Sequence, residues 1–268
     1  MKTTKKQEVL EKRAPLVMEA IAMNEEELLA AIEPSKLPEH VAIIMDGNRR
    51  WSRQRKLPVF MGHRQGVETF RMVLETCLEL GIRGLSVYAF SQENWKRSSR
   101  EIGFLMNLFR YFARRERQNL RNRGVKFLAI GDISEMPRNL RQELQKTEEY
   151  TAECSGLALN LCVNYSARSE IIKAARELAG EVLAGTIAPE EITEEVFSSR
   201  LLTRATPDPD LLIRTSGEVR LSNFFLWQCA YTEFWFSPVL WPDFGKRDFL
   251  QAIYEYQCRE RRYGGTAE

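Results

Sequence analysis

Histidine is scarce in this chain: His40 and His63 are the only two. The five cysteines (Cys77, Cys154, Cys162, Cys229 and Cys258) form no CxxC pair. A zinc site of the usual Cys/His kind is therefore not expected. An odd, unpatterned set of thiols indicates reduced cysteines rather than a disulfide frame. No apolar run reaches the roughly eighteen residues that a membrane-spanning helix needs. An excess of one charge is missing too: 39 Lys and Arg face 37 Asp and Glu, a net charge of +2. That balance argues against a dedicated duplex-DNA binder. Neither a GxxxxGK[ST] loop nor a GxGxxG after a strand occurs, which weakens nucleotide readings. There is no internal repeat and no low-complexity segment. The opening stretch, MKTTKKQEVLEKRAP, is basic but has no apolar core of the secretory kind. Glu8, Glu11 and little serine also set it apart from an organelle transit peptide. The expected location is the cytoplasm, or the plastid stroma if a transit peptide has been removed.

What is present is an ordinary globular composition, 44% hydrophobic and 28% charged over 268 residues, enough for one sizeable α/β domain. Residues 16–32 have helical spacing, and Pro34 and Pro38 stop them. Short β-rich runs then alternate with helical stretches. The strands are expected at 40–45, 85–90, 125–131, 157–164, 210–214 and 232–236. The helices are expected at 64–80, 99–123, 137–153, 167–184, 189–202 and 246–261. The strands are apolar at nearly every position, as suits a sheet covered on both faces. The fold class that follows is α/β, a single domain with a six-stranded, mostly parallel sheet flanked by helices.

In such sheets ligands bind beyond the carboxyl ends of the strands, so the residues there carry the chemistry. The first strand ends in Asp46-Gly47-Asn48-Arg49-Arg50-Trp51 and the second in Ser91-Gln92-Glu93-Asn94-Trp95-Lys96-Arg97. The fourth ends in Asn164-Tyr165-Ser166-Ala167-Arg168. The fifth ends in Arg214-Thr215-Ser216-Gly217-Glu218, followed by Arg220, Leu221, Ser222 and Asn223. Taken singly these are ordinary turns and solvated helix starts. Together they put arginines, hydroxyls and amides at one edge, a set suited to a ligand carrying several phosphates. An acid in that company has two readings: a salt bridge with a neighbouring arginine, or a carboxylate holding a magnesium ion that bridges to phosphate oxygens. Asp46 is the first candidate and Glu233, entering the sixth strand, the second. Ile102, Phe104, Leu105, Leu108, Phe109 and Phe112 likewise have two readings, core packing or the wall of an apolar tunnel leading from the phosphate edge. Arg110, Arg114, Arg115, Arg117, Arg121 and Arg123 make a basic helix face, read as solvated or dimer-facing rather than nucleic-acid-binding.

These residues also carry a resemblance. HVAIIMDGNRRW, GHRQGV, YAFSQENWKR, DPDLLIRTSGEVRLSNFFLWQCAYTEFWF and LWPDF are similar, in order and spacing, to the signature regions of the cis-prenyltransferases, the undecaprenyl and dehydrodolichyl diphosphate synthases. The likeness runs from about Leu37 to Gly264. It implies a homodimer of α/β subunits, each with a hydrophobic tunnel. It also implies magnesium-dependent addition of isopentenyl diphosphate to an allylic diphosphate, forming a Z double bond and releasing diphosphate. It implies a division into an N-terminal basic segment and helix (1–36), a catalytic domain (37–264) and a tail (265–268). Peripheral membrane contact for release of a lipid product belongs to the same picture, and no nucleic acid does.

Carried over residue by residue, Asp46 and Asn94 are the catalytic pair, and Asp46 and Glu233 hold the metal. Gly47, Asn48, Arg49, Arg50, Trp51 and His63 contact the allylic diphosphate. Ser91, Gln92, Glu93, Trp95 and Arg97 match the block around Asn94, an amide assigned a proton-handling role although it is a poor base. Arg214, Arg220, Leu221 and Ser222 match the isopentenyl-diphosphate pocket. Arg262 to Gly264 resembles an arm that reaches the partner's site. The chain departs from the common pattern at Arg49, at Val59 and at Ser166-Ala167, where glycine, a basic residue and two glycines are usual; Arg168 is retained. In the tunnel, small Ala89 leaves room while Phe104, Phe109 and Phe112 narrow the route. The competing reading, a non-catalytic subunit of a heteromeric enzyme, conflicts with the presence of Asp46 and of the Glu93-Asn94-Trp95 block, which such partners generally lack.

Overall fold

A computed structural model describes residues 18–259. Its strands are β1 (His40–Ile44), β2 (Gly84–Ser91), β3 (Lys126–Ile130), β4 (Ala158–Tyr165), β5 (Leu211–Arg214) and β6 (Glu233–Phe236). They form one sheet in the order β3-β4-β2-β1-β5-β6, and all five pairings are parallel. The sheet is therefore wholly rather than mostly parallel. Its strands carry side chains on both faces into packed layers, which is why their sequences are apolar throughout.

The helices are α1 (Glu25–Ala31), α2 (Asn48–Gln54), α3 (Val59–Leu80), α4 (Ser99–Asn122), α5 (Arg138–Thr151), α6 (Ala167–Leu183), α7 (Glu194–Ser198) and α8 (Lys246–Gln257). One face of the sheet, with Val41, Ile43, Val87 and Leu159, meets α3, α4, α5 and α8 through Phe70, Phe112, Leu140 and Phe249. The other face, with Ala42, Cys162 and Leu212, packs on Phe224, Phe225 and Ala167. Leu28 and Ile32 join α1 to the first of these layers.

The helix expected over 64–80 begins five residues earlier, the last one stops at Gln257, α2 was not expected, and two further expected helices are broken. The stretch 16–32 is helical over 18–22 and then restarts at α1, because Asn24 caps the new helix with Glu27 in a capping box; residues 16 and 17 lie outside the described residues. The helix expected over 189–202 is a 3₁₀ turn at Pro189–Glu191 followed by the short α7. Thr193 accepts from the Val196 amide and starts a fresh helix, and Ser199 closes it one turn later. The motif at 262–264 and residues 260–261 of the last expected helix lie outside the described residues.

β1 lies inside the sheet, between β2 on one side and β5 on the other. The loops after β1, β2 and β5 thus converge at the carboxyl edge of the sheet's centre, where this class of sheet leaves a crevice.

Candidate active site

β1 ends at Ile44, and Asp46 follows in a turn tied down from both sides. Its amide donates to Thr215 Oγ1 at 3.0 Å, and its carbonyl accepts from Thr215 Oγ1 at 2.6 Å and from the Trp241 amide at 2.9 Å. Gly47 has φ +113°, and a Cβ there would stand 3.0 Å from the Leu240 backbone. Glycine is thus needed for the sharp entry into α2. α2 in turn lies very close to α3. A Cβ on Gly62 would fall 2.2 Å from the Asn48 carbonyl oxygen, and one on Gly66 would fall 2.5 Å from Asn48 Oδ1. The two glycines of GHRQG, one turn apart, therefore let α2 sit against α3, with Ser52 Oγ accepting from the Gly62 amide at 2.9 Å.

Two clusters of charge flank Asp46. On the β5 side, Arg214 is 3% exposed and donates to Asp46 Oδ2 at 2.8 Å, to Ser222 Oγ at 2.8 Å and to the Arg220 carbonyl. Arg50 reaches the same loop, donating to Ser216 and, at 2.9 Å, to Glu218. On the α3 side, His63 and Arg97 converge on Glu101 Oε1 at 3.2 and 3.1 Å, and Arg49 Nε stands 3.8 Å from Oε2. The Glu101 carboxyl is held below its ordinary value by the His63 hydrogen bond, and next by the charges of Arg97 and Arg49, against the opposing effect of burial.

Between the clusters opens a cavity of about 330 Å³. Asp46, Gly47, Asn48, Arg49, Arg50, His63, Ser91, Asn94, Arg97, Arg214 and Ser222 line its charged part. Val67, Phe70, Leu105, Leu108, Phe109 and Phe112 from α3 and α4, with Val87, Ala89 and Leu161 from the sheet, line its apolar part. At that end Phe70 and Phe112 meet edge to face, 5.2 Å between ring centres. The crevice is thus polar at one part and greasy at the other, and its lining includes Leu105, Leu108, Phe109 and Phe112 of the apolar set that the sequence singled out, but not Ile102 or Phe104.

Several expected contacts lie elsewhere. Trp51 turns outward, donating to Asp243 at 2.7 Å beneath the Arg55 guanidinium. Gln92, Glu93 and Trp95 tie the turn after β2 to its neighbours, through Ser169, Asn223 and Asn164 respectively. Arg220 pairs with Glu218 at the rim, and Leu221 packs on the second core layer. Phe104 leans on Phe60, 5.8 Å between centres, instead of entering the cavity. Val59 is the exposed first residue of α3. Ser166 caps α6 and accepts from Asn223 at 2.8 Å, a use of its hydroxyl that glycine would not allow.

Glu233 stands apart from Asp46 within the protomer. It opens β6 level with Val41, whereas Asp46 follows the opposite end of β1. The five residue steps from Val41 to Asp46 amount to about 16 Å along the strands. Glu233 is instead bonded to Arg259 at 2.7 Å. Within the protomer it shares no metal with Asp46, and among the described residues no group of three His, Cys, Asp or Glu side chains is placed to hold an ion. The important residue that sequence reading missed is Glu101. Its only signal, Ser98 three positions earlier, is that of a helix cap.

The family model described as "Putative undecaprenyl diphosphate synthase" matches residues 44–264. An isoprenyl transferase of Heliobacterium mobile is 49% identical over 243 residues, covering 91% of this chain and 94% of its own length. One from Rhizobium meliloti is 50% identical over 235 residues, covering 88% and 95%. Among solved structures, lavandulyl diphosphate synthase from Lavandula x intermedia, in complex with dimethylallyl diphosphate, superposes with a TM-score of 0.84. It is 40% identical, over 86% of this chain and all of that one. A probable undecaprenyl diphosphate synthase from Campylobacter jejuni has a TM-score of 0.71 and 37% identity, over 85% and 99%.

Proposed function

This chain belongs to the undecaprenyl diphosphate synthase family of isoprenyl transferases and is a prenyl-transferring enzyme, and we propose that it adds isopentenyl diphosphate to an allylic diphosphate with magnesium, forming a Z double bond. The observation that carries this reading is the single cavity with cations at its mouth and aromatic and aliphatic side chains at its end. A diphosphate head and a hydrocarbon tail fit the two parts. The dimethylallyl diphosphate bound by the lavandulyl synthase supports an allylic diphosphate here.

Arg49, His63 and Arg97 would hold the allylic diphosphate, with the first-turn amides of α2, which have no acceptor within their own helix. Arg214 and Ser222, which line the cavity, would hold the second diphosphate. Fixing both heads on either side of Asp46 brings the alkene of one substrate against the allylic carbon of the other, catalysis by positioning. The carbon–oxygen bond to diphosphate breaks as the new carbon–carbon bond forms, and a proton is then lost from the added unit. Asn94 Oδ1 accepts from the Ser91 amide at 3.3 Å, so the side-chain NH₂ is the group Asn94 offers to a ligand. That makes it a donor to diphosphate, and the departing diphosphate takes the proton.

Magnesium fits the donor set. It takes one or two protein carboxylates and completes its shell with phosphate and water, and Asp46 supplies one carboxylate at the cavity mouth. Held there, the ion would neutralise charge building on the leaving oxygens. We extend the proposal to a homodimer and to product release at a membrane surface. Exposed Tyr231, two residues before edge strand β6, supports the first, and exposed Val59 and Phe60 at the start of α3, the helix that carries His63, support the second.

The test is labelled isopentenyl diphosphate with dimethylallyl, geranyl, farnesyl or geranylgeranyl diphosphate, with products resolved by length and geometry. Turnover that needs magnesium and is abolished by Asp46→Ala, in a protein that still melts cooperatively, is the expected result. Turnover unaffected by Asp46→Ala removes that carboxylate from the mechanism, and E-only products overturn the geometry.

A further inference from the structure

Glu101 is not among the side chains that line the cavity, yet three cationic or hydrogen-bonding groups that do line it are gathered by its carboxylate. They come from three separate places: Arg49 from α2, His63 from α3, and Arg97 from the end of the 3₁₀ turn after β2. The Glu101 side chain is 9% exposed, His63 8% and Arg97 25%. The Ser98 hydroxyl accepts from the Glu101 amide, and the Glu101 carboxylate points to the cluster.

We propose that Glu101 is a positioning residue for the diphosphate on the α3 side of Asp46, an inference that rests on the function proposed above. Arginine side chains are flexible, and like charges side by side repel each other. One carboxylate behind the wall offsets that repulsion and fixes where the guanidinium groups and the imidazole stand. Because a carboxylate only accepts, the His63 nitrogen it meets, Nε2, carries a proton, and Nδ1 is left for other partners. Glu101 thereby joins α2, α3 and the turn after β2 into one prearranged anion cradle. The Arg214 side of the crevice makes no use of it.

This separation gives a readout that general structural damage would not produce. In Glu101→Gln the shape is kept and the charge removed. The KM for the allylic diphosphate is expected to rise at least tenfold, with the KM for isopentenyl diphosphate within threefold of the parent. Glu101→Asp, with its charge one methylene short, is expected to fall between. In an Arg97→Ala background Glu101→Gln is expected to cost less than in the parent, because residues acting through one another are not additive, while part of the effect stays with His63 and Arg49. An unchanged allylic KM, equal rises in both KM values, or a full tenfold effect in the Arg97→Ala background each overturn the assignment. Calorimetric titration with inorganic pyrophosphate separates this inference from the reading beneath it. If the parent protein makes no prenyl product, the proposed function fails. Glu101 keeps its role only if the parent binds pyrophosphate at least tenfold more tightly than Glu101→Gln, and equal or absent binding in both overturns it.

Discussion

His40 opens β1 with its ring fully enclosed, Nδ1 facing the Pro207 carbonyl at 2.7 Å and Nε2 facing Ser86 Oγ at 2.8 Å. Burial is the main cause that lowers its pKa from 6.5 to about 4. The unfolded chain therefore binds a proton between those values that the folded chain refuses, so stability is complete above about pH 6.5 and falls as the pH drops towards 4. The loss is on the order of 3 kcal/mol. Urea melts of the parent at pH 7 and pH 4.5 are expected to differ by part of that amount, with a smaller difference in His40→Gln. Asp46 was legible as a candidate because it stands where an apolar run breaks off. Glu233 was legible only as an acid beside a strand, and which end of the sheet it occupies is a matter of register. Glu101 was illegible, since its value comes from partners on two other helices and a turn.

At the scale of elements, the spacing of Gly62 and Gly66 shows in the sequence, but their reason is the approach of α2. Gly62→Ala would drive a methyl group into the Asn48 carbonyl, which backbone atoms cannot yield cheaply. Overpacking of this kind costs typically 1–3 kcal/mol, and here it also displaces the helix that carries Arg49 and Arg50. The expected outcome is a lower melting temperature and, in whatever protein remains folded, a raised KM for the allylic diphosphate. Steady-state kinetics at two temperatures separates the two effects. The strands and long helices were readable because burial on both faces and amphipathic spacing leave a local imprint. The broken helix over 189–202 was not, because Thr193 and Ser199, though favoured at caps, are also tolerated inside helices and so do not by themselves mark a break.

For the whole molecule, the shape of the cavity decides where a growing chain meets resistance. Phe112 is buried and lines the apolar part of the cavity against Phe70, while Phe104 stands outside the lining. Each added methylene gains about 0.8 kcal/mol only where apolar surface can receive it. Phe112→Ala is expected to lengthen products by at least one five-carbon unit, at a cost of about 3–5 kcal/mol in stability. Phe104→Ala is expected to leave the length distribution unchanged. Chromatography of the products from both variants checks the assignment, and a longer product from Phe104→Ala alone would move the wall.

The alternation of apolar runs and amphipathic stretches by itself determined an α/β sheet, and the residues at its strand ends marked one edge as suited to phosphates. Both follow from local rules, since periodicity and strand-end position are written along the chain. Tertiary structure alone decided that Glu233 sits far from Asp46, that Trp51 faces outward, that Phe104 leaves the tunnel wall and that Glu101 gathers three groups. Those outcomes depend on distances between elements remote in sequence, and such distances are set by how the layers pack.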